Sequence, residues 1–153
     1  MPLWEIYHPQ ALFQDPSTKA ALVKDIVSMY TSIGLPAFYV VTQFKPLALD
    51  DYWQGEGRVA DGSQETRHFV RFVITHIAVR LPDQDEVYRN VTSKIDAIIS
   101  PYMRGNANWE YHVAETERRL WKVNGMVPPQ FESEQEKVWA RENRAVPYDG
   151  AYP

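Results

Sequence analysis

MPLWEIY, residues 1–7, decides the fold, because a proline stands second and an apolar, aromatic segment follows it at once. This composition predicts a strand over residues 3–7 with no disordered leader before it. A strand would hold the terminus inside the fold. If Met1 is removed, the Pro2 nitrogen becomes a secondary amine that can act as a general base, general acid or nucleophile. While Met1 is attached, that nitrogen is an amide without basicity.

Length and composition predict one globular domain. The chain has 153 residues, 44% of them apolar, enough for a sizeable core. The net charge of -4 and the lack of a basic run argue against nucleic acid as a partner. The absence of cysteine excludes disulfides and thiol chemistry. With no signal peptide and no apolar run of membrane-spanning length, we expect a cytoplasmic protein that does not contact a membrane.

The order of predicted elements repeats, since each half of the chain is a strand, a helix and a strand. Asp15-Pro16 begins the first helix, and Pro101 is expected to end the second. The predicted strands cover residues 3–7, 38–44, 69–80 and 109–113, and the helices cover residues 17–33 and 83–99.

This order predicts an α/β (α+β) fold: a duplicated β-α-β arrangement in which a four-stranded mixed sheet carries two helices on one face. The strands hold too many apolar residues for the other face to meet water, so we expect a partner subunit to cover it.

Two further segments follow the second half. Residues 114–123 are predicted to form a short helix, and 132–143 an exposed amphipathic one. We expect a domain over residues 1–127 and an extension over 128–153. The extension contains Phe131, Trp139 and Tyr148 without an obvious core of its own, and is expected to reach a neighbouring subunit.

The duplicated β-α-β order, with a strand directly after Pro2, resembles the tautomerase superfamily over about residues 2–127. The long-chain group around cis-3-chloroacrylic acid dehalogenase has a comparable length. LWKVNGMVPP, residues 120–129, is similar to the ending of fungal oxalocrotonate tautomerase-like members of that group. The resemblance implies a homotrimer, no cofactor, and proton transfer on a small 2-keto or enol carboxylic acid.

The resemblance also implies roles for individual residues. Pro2 matches the catalytic proline, and Arg80 matches an arginine that holds the substrate carboxylate. His76 also matches, and Tyr30 and Tyr111 stand where the dehalogenase has a substrate-binding histidine and a tyrosine. In this interpretation Pro2, Arg80, His76 and Tyr111 are catalytic, while Arg80, His76, Tyr30 and Tyr111 bind the substrate.

The chain departs from the dehalogenase pattern at two positions. Ile77 stands in place of a second arginine, and Lys122 stands near the water-activating glutamate. Hydrolytic dehalogenation is therefore in doubt, whereas simple proton transfer is not. Glu110, Glu115 or Glu117 remain open as substitutes for the glutamate.

The residue types suit the proposed chemistry. An arginine binds a carboxylate in bidentate fashion and lowers the pKa of a nearby amine. A tyrosine or histidine can donate a hydrogen bond to an enolate oxygen. Alternation along the predicted strand over residues 69–80 would place His76 and Arg80 on one face.

Each candidate also has a purely structural alternative. Arg80 could be a surface ion-pair partner and His76 a core histidine, while Tyr30 completes a helix stripe and Tyr111 could be a core aromatic. The spacing of the histidines does not predict a metal site.

Other functions stay open at this point. One is a dehalogenase or decarboxylase of the same superfamily, and another is an inactive binding protein that kept the fold. A third is a dimeric α+β-barrel protein that binds small molecules. A trimer would favour the tautomerase plan and a dimer the barrel. The sequence does not specify the physiological substrate.

Overall fold

The computed structural model describes residues 1–58, 68–105 and 107–152. Single turns of 3₁₀ helix lie at Ala37–Tyr39, Leu49–Asp51 and Arg118–Leu120. The helices and strands are, in chain order, β1 (Pro2–Pro9), α1 (Pro16–Thr31), β2 (Val41–Leu47), β3 (Trp53–Gln54), β4 (Gly57–Arg58), β5 (His68–His76), α2 (Asp85–Met103), β6 (Ala107–Glu115) and α3 (Glu134–Glu142).

The main sheet has the strand order β2-β1-β5-β6. Strands β1 and β2 pair in parallel, as do β5 and β6, and the two halves join where β1 pairs antiparallel with β5. Each half is therefore one β-α-β unit, as predicted. The first strand lies in the interior of the sheet, because it has a partner on both sides. Strands β3 and β4 form a separate two-stranded hairpin.

One face of the sheet and the two long helices form the main core. Trp4 and Ile6 of β1 alternate into it and are fully buried. A buried apolar side chain of this size contributes about 1.5–3 kcal/mol. The helices lie together on this face, as predicted, and contribute Leu22, Ile26, Ile95 and Ile99 to the same cluster, together with Phe72 and Ile74 of β5.

The opposite face of the sheet is more polar than the sequence analysis anticipated. Lys45 lies 3.9 Å from Glu5, and Arg71 pairs with Glu110. Since side chains alternate along a strand, the most apolar positions of β1 and β5 point to the helices and the polar ones point here. This face is therefore mixed in character, with apolar Leu3 and Val41 beside the ion pairs.

Several element boundaries differ from the predictions by a few residues, and three of these differences have a local cause. Pro36 is followed by a 3₁₀ turn that buries Tyr39, so β2 begins only at Val41. Strand β5 ends at His76, because Ala78 has a positive φ of 65° and turns the chain away. Helix α2 continues past Pro101, and the buried Met103 anchors its last turn.

Residues 114–123 do not form the predicted helix. Strand β6 continues to Glu115, and only one 3₁₀ turn follows. Asn124 and Gly125 both have positive φ and close a tight turn, in which the backbones of Val123 and Met126 exchange hydrogen bonds of 2.9 Å. Asn-Gly is the sequence that such a turn favours, and here it connects two extended residues instead of ending a helix.

The C-terminal segment builds a second core within the same chain. Helix α3 begins at its N-cap Ser133 and buries Trp139, which is 1% exposed. Trp139 packs with Tyr39, Met126 and partly buried Tyr148. The indole Nε1 donates to the Val146 carbonyl at 2.7 Å. Trp139 and Tyr148 therefore need no neighbouring subunit to cover them, in contrast to the expectation from sequence. Phe131 is 56% exposed.

We predict that Trp139→Ala lowers the free energy of unfolding by about 3–5 kcal/mol, because it leaves a cavity at the centre of the second core. Chemical denaturation at one fixed protein concentration measures this. Gln135→Ala is the matched control: it lies exposed on the same helix and should change stability by less than about 0.5 kcal/mol. Equal effects from the two variants would mean that this segment does not pack on its own chain.

Candidate active site

The N-terminus is held in the fold by backbone pairing with β5. Pro2 is buried and stands opposite His76 in the antiparallel register. The Met1 ammonium donates to the Ile77 carbonyl at 2.6 Å, and the Ile77 N–H donates to the Met1 carbonyl at 2.7 Å. The first residue therefore occupies a fixed position at the end of β1.

Met1 lines a cavity of about 400 Å³ between the end of the sheet and the C-terminal segment. Aromatic and apolar side chains form much of its wall, and charged ones are few. The lining residues are Met1, Ile33, Leu35, Tyr39, Ala78, Val79, Arg80, Leu81, Arg118, Trp121, Pro129, Phe131 and Glu136.

Burial changes the acidity of the terminal amine. Removal from water lowers the pKa of the Met1 ammonium from 8.0 to about 5, and the negative charge of Glu136 opposes that shift. An amine in this environment is largely in the free-base form at neutral pH. Catalytic sites commonly contain such perturbed groups.

His76, the register partner of Pro2, contacts Tyr30. The Tyr30 hydroxyl lies 3.0 Å from His76 Nε2 and accepts a hydrogen bond of 3.0 Å from Trp4 Nε1. Burial raises the pKa of Tyr30 to about 12 and lowers that of His76, so both side chains are neutral at pH 7. His76 is thus the register partner of Pro2 and bonds to Tyr30, but neither His76 nor Tyr30 lines the cavity.

Arg80 reaches the cavity from a loop. Strand β5 ends four residues earlier, so His76 and Arg80 do not share a strand face as predicted. The Ala78 N–H donates to Thr116 Oγ1 and the Leu81 N–H to Glu115 Oε1, which ties this loop to the end of β6. Arg118 also lines the cavity, and its guanidinium donates to the Pro128 carbonyl at 2.8 Å.

Tyr111 lies elsewhere in the protomer. It pairs with Phe72, four residues before His76 on β5, which is roughly 13 Å along the strand. Its hydroxyl donates to Asp96 Oδ1 at 2.9 Å, and burial together with this bond raises its pKa to about 12. The prediction that Tyr111 joins Pro2 fails within a single chain.

The glutamates considered as substitutes do not line the cavity. Glu110 pairs with Arg71 on the open sheet face, Glu115 accepts from the Leu81 N–H, and Glu117 accepts from Arg119. Lys122 is exposed.

Sequence reasoning missed Tyr39, Arg118 and Glu136. The sequence did contain one indication of the structural role of Glu136: Ser133 and Glu136 have the spacing of a capping box, which marks the start of a helix.

Residues 1–58, 68–105 and 107–152 contain neither a metal-binding cluster nor a membrane-spanning helix. No group of three or more histidine, aspartate or glutamate side chains in these ranges could hold a metal ion. No helix among them is long and apolar enough to cross a membrane.

Known proteins share this architecture. A structure from the thermophilic fungus Aspergillus fumigatus, described as "a probable enzyme", is 37% identical, with a TM-score of 0.85 over 97% of this chain and 98% of that one. N1, a member of the cis-3-chloroacrylic acid dehalogenase family, is 15% identical and has a TM-score of 0.63 over 92% of this chain and 97% of its own.

A third structure, a fused 4-OT wild type symmetric trimer, is 19% identical, with a TM-score of 0.56 over 80% of this chain and 91% of that one. At these lower identities the likeness to N1 and the trimer shows the fold alone. The comparison with curated proteins gives no match. Residues 1–144 match the family described as "Putative oxalocrotonate tautomerase enzyme", which together with the shared fold shows that this chain belongs to that family within the tautomerase superfamily.

Proposed function

We propose that the chain is a tautomerase that uses the Pro2 amine, after Met1 removal, to move a proton on a small 2-keto or enol carboxylic acid. The observation that carries this proposal is the position of the terminus: half-buried Met1, bonded to buried Pro2, lines a cavity that two arginines also line. An amine kept in free-base form can remove a proton from the carbon beside a carbonyl. An arginine can hold the substrate carboxylate.

The hydrogen bonds of Met1 suggest where substrate oxygen binds. The Met1 carbonyl carbon is bonded to the Pro2 nitrogen, and its oxygen accepts from the Ile77 N–H at 2.7 Å. Loss of Met1 would leave this N–H next to the amine without that partner. A backbone N–H fixed in this way can stabilise the charge that develops on an enolate oxygen.

We assign the other residues according to whether they line the cavity. Arg80 binds the carboxylate, and Arg118 adds a second positive charge to the wall. His76 and Tyr30 position Pro2 from behind through the bond that joins them. We leave Tyr111 out of the catalytic set, because its hydroxyl is bound to Asp96 on the helix side of the sheet.

A homotrimer accompanies this proposal. Leu3 and its register partner Val41 lie on the open sheet face and form an apolar patch beside its ion pairs, with Thr75 as the register partner of Leu3 on the other side. A related fold is known as a trimer. We predict a light-scattering mass three times that of the 17.8 kDa chain. A monomer at micromolar concentration would contradict the assembly, and a dimer would favour the barrel-type alternative.

Replacing the amine is the first test of the chemistry. Pro2→Ala keeps a terminal amine but makes it primary and more mobile, so we expect ketonisation of a phenylpyruvate or 2-hydroxymuconate enol to slow by about 10²-fold or more. Both proteins must be shown by intact mass to lack Met1. Equal activity, or equal inactivity, of the processed proteins would exclude the proline mechanism for these substrates.

Replacing the carboxylate anchor is the second test. Arg80→Ala should raise KM and lower kcat, with kcat/KM falling roughly 10- to 150-fold, since the same charge binds substrate and tunes the amine. Arg89→Ala removes an exposed arginine of α2 that lies 3.9 Å from Asp85, and it should leave both constants unchanged. If Arg80→Ala behaves like this control, Arg80 does not bind the substrate.

A further inference from the structure

Glu136 is a buried carboxylate at the cavity that Met1, the residue before Pro2, also lines. It is 4% exposed and comes from α3, in the segment that follows the duplicated half-domains. Among the described residues, no lysine or arginine forms an ion pair with it. A carboxylate so well removed from water normally has a partner charge or a task.

A structural role explains part of this placement. Glu136 Oε2 accepts from the Glu132 N–H at 2.7 Å, and the Glu136 N–H donates to Ser133 Oγ at 3.2 Å, which together cap the start of α3. Glutamine satisfies such a cap as well as glutamate does. The cap therefore accounts for one oxygen atom of Glu136. It does not explain why the residue at the cavity wall is a titratable glutamate and not a glutamine.

Tyr39 adds an independent observation at the same wall. Its side chain is 2% exposed, and its hydroxyl has no hydrogen-bond partner. Leaving a buried hydroxyl without a partner destabilises the fold, because its bond to water is lost and not replaced. Burial, followed by the charge of Glu136, raises the pKa of Tyr39, so the hydroxyl stays a neutral donor. A bound substrate oxygen would supply the missing acceptor.

We propose that Glu136 is a second acid–base residue of this site, exchanging a proton with the substrate oxygen while the N-terminal amine exchanges one with the substrate carbon. The inference rests on the proposed function and deepens it. It also favours substrates with a carbonyl or enol oxygen, to which the Tyr39 hydroxyl can donate.

The proton balance is complete in both directions. In enolisation, the free amine takes the proton from carbon as the C–H bond breaks, and the carboxylic acid of Glu136 gives its proton to the oxygen as the O–H bond forms. In ketonisation, the ammonium protonates carbon and the Glu136 carboxylate takes the hydroxyl proton. Transfer of one proton between amine and carboxyl, directly or through water, restores the starting state.

The charges around the pair agree with this scheme. Burial raises the pKa of Glu136, and the Met1 ammonium and the Glu132 N–H oppose that shift, while burial lowers the pKa of the Met1 amine. We expect the Pro2 amine, one residue further along the chain, to interact with Glu136 in the same sense, so that the amine and the carboxyl share a single proton. The two arrangements of that proton are the starting states for the two reaction directions.

The experiment compares Glu136→Gln with wild type and with Glu134→Gln, all processed. Glutamine keeps the cap but removes the titratable group. Glu134 is a suitable control, because it lies exposed in the same helical turn and pairs with Lys137 at 2.6 Å. The first readout is kcat against pH for ketonisation. The second is the pKa of the terminal amine, from the pH dependence of its acylation by acetic anhydride, followed by mass spectrometry.

We expect a bell-shaped profile for wild type and Glu134→Gln. Glu136→Gln should have at least tenfold lower kcat, should lose the acidic limb, and should have a lower amine pKa because an opposing negative charge is gone. A melting temperature like that of Glu134→Gln excludes a folding defect. If Pro2→Ala is inactive and Glu136→Gln matches wild type in both readouts, the inference fails and the proposed function stands.

If wild type does not turn over the enols, the proposed function fails for those substrates. In that case the pKa of the terminal amine, compared between Glu136→Gln, Glu134→Gln and wild type, is the readout that tests the role of Glu136. A decrease confined to Glu136→Gln supports a coupled pair, and an unchanged value overturns it.

Discussion

The backbone pairing of β1 between β2 and β5 is the constraint on which the rest of this structure depends. It fixes Pro2 opposite His76, and Met1 and Ile77 form two backbone hydrogen bonds with each other. An amine at a free chain end would stay solvated, with the acidity of any N-terminus. Here the sheet holds Met1 at a cavity where the loss of hydration lowers the pKa of its amine, so the fold itself changes the acidity of the chain terminus.

The second core completes that environment. Tyr39, Trp121 and Trp139 pack edge-to-face, and Tyr39 and Trp121 are also part of the cavity wall. Residues after 127 thus share a core with residues before it, and α3 brings Glu136 to the site. The C-terminal segment excludes water from the terminus and supplies a carboxylate, both of which act on the acidity of the amine.

The duplicated β-α-β order was predictable because local signals agreed with the final packing. Asp15-Pro16 begins α1, where the Asp15 carboxylate accepts from the Ser17 N–H at 2.9 Å. The site was only partly predictable. The resemblance indicates Pro2, His76 and Arg80 as candidates. The loop that carries Arg80, however, depends on hydrogen bonds from Ala78 to Thr116 and from Leu81 to Glu115, which no local pattern contains. Tyr39 and Glu136 are distant in sequence, and only packing brings them together.

Deuterium exchange tests the central claim, that the amine of the processed terminus carries the proton. A 2-keto acid in D₂O would be incubated with processed protein and with protein whose Met1 is retained, and NMR would follow loss of the hydrogen on the carbon beside the carbonyl. We predict exchange by the processed protein alone, because Met1 converts the Pro2 nitrogen to an amide. Equal exchange by both proteins would contradict the account.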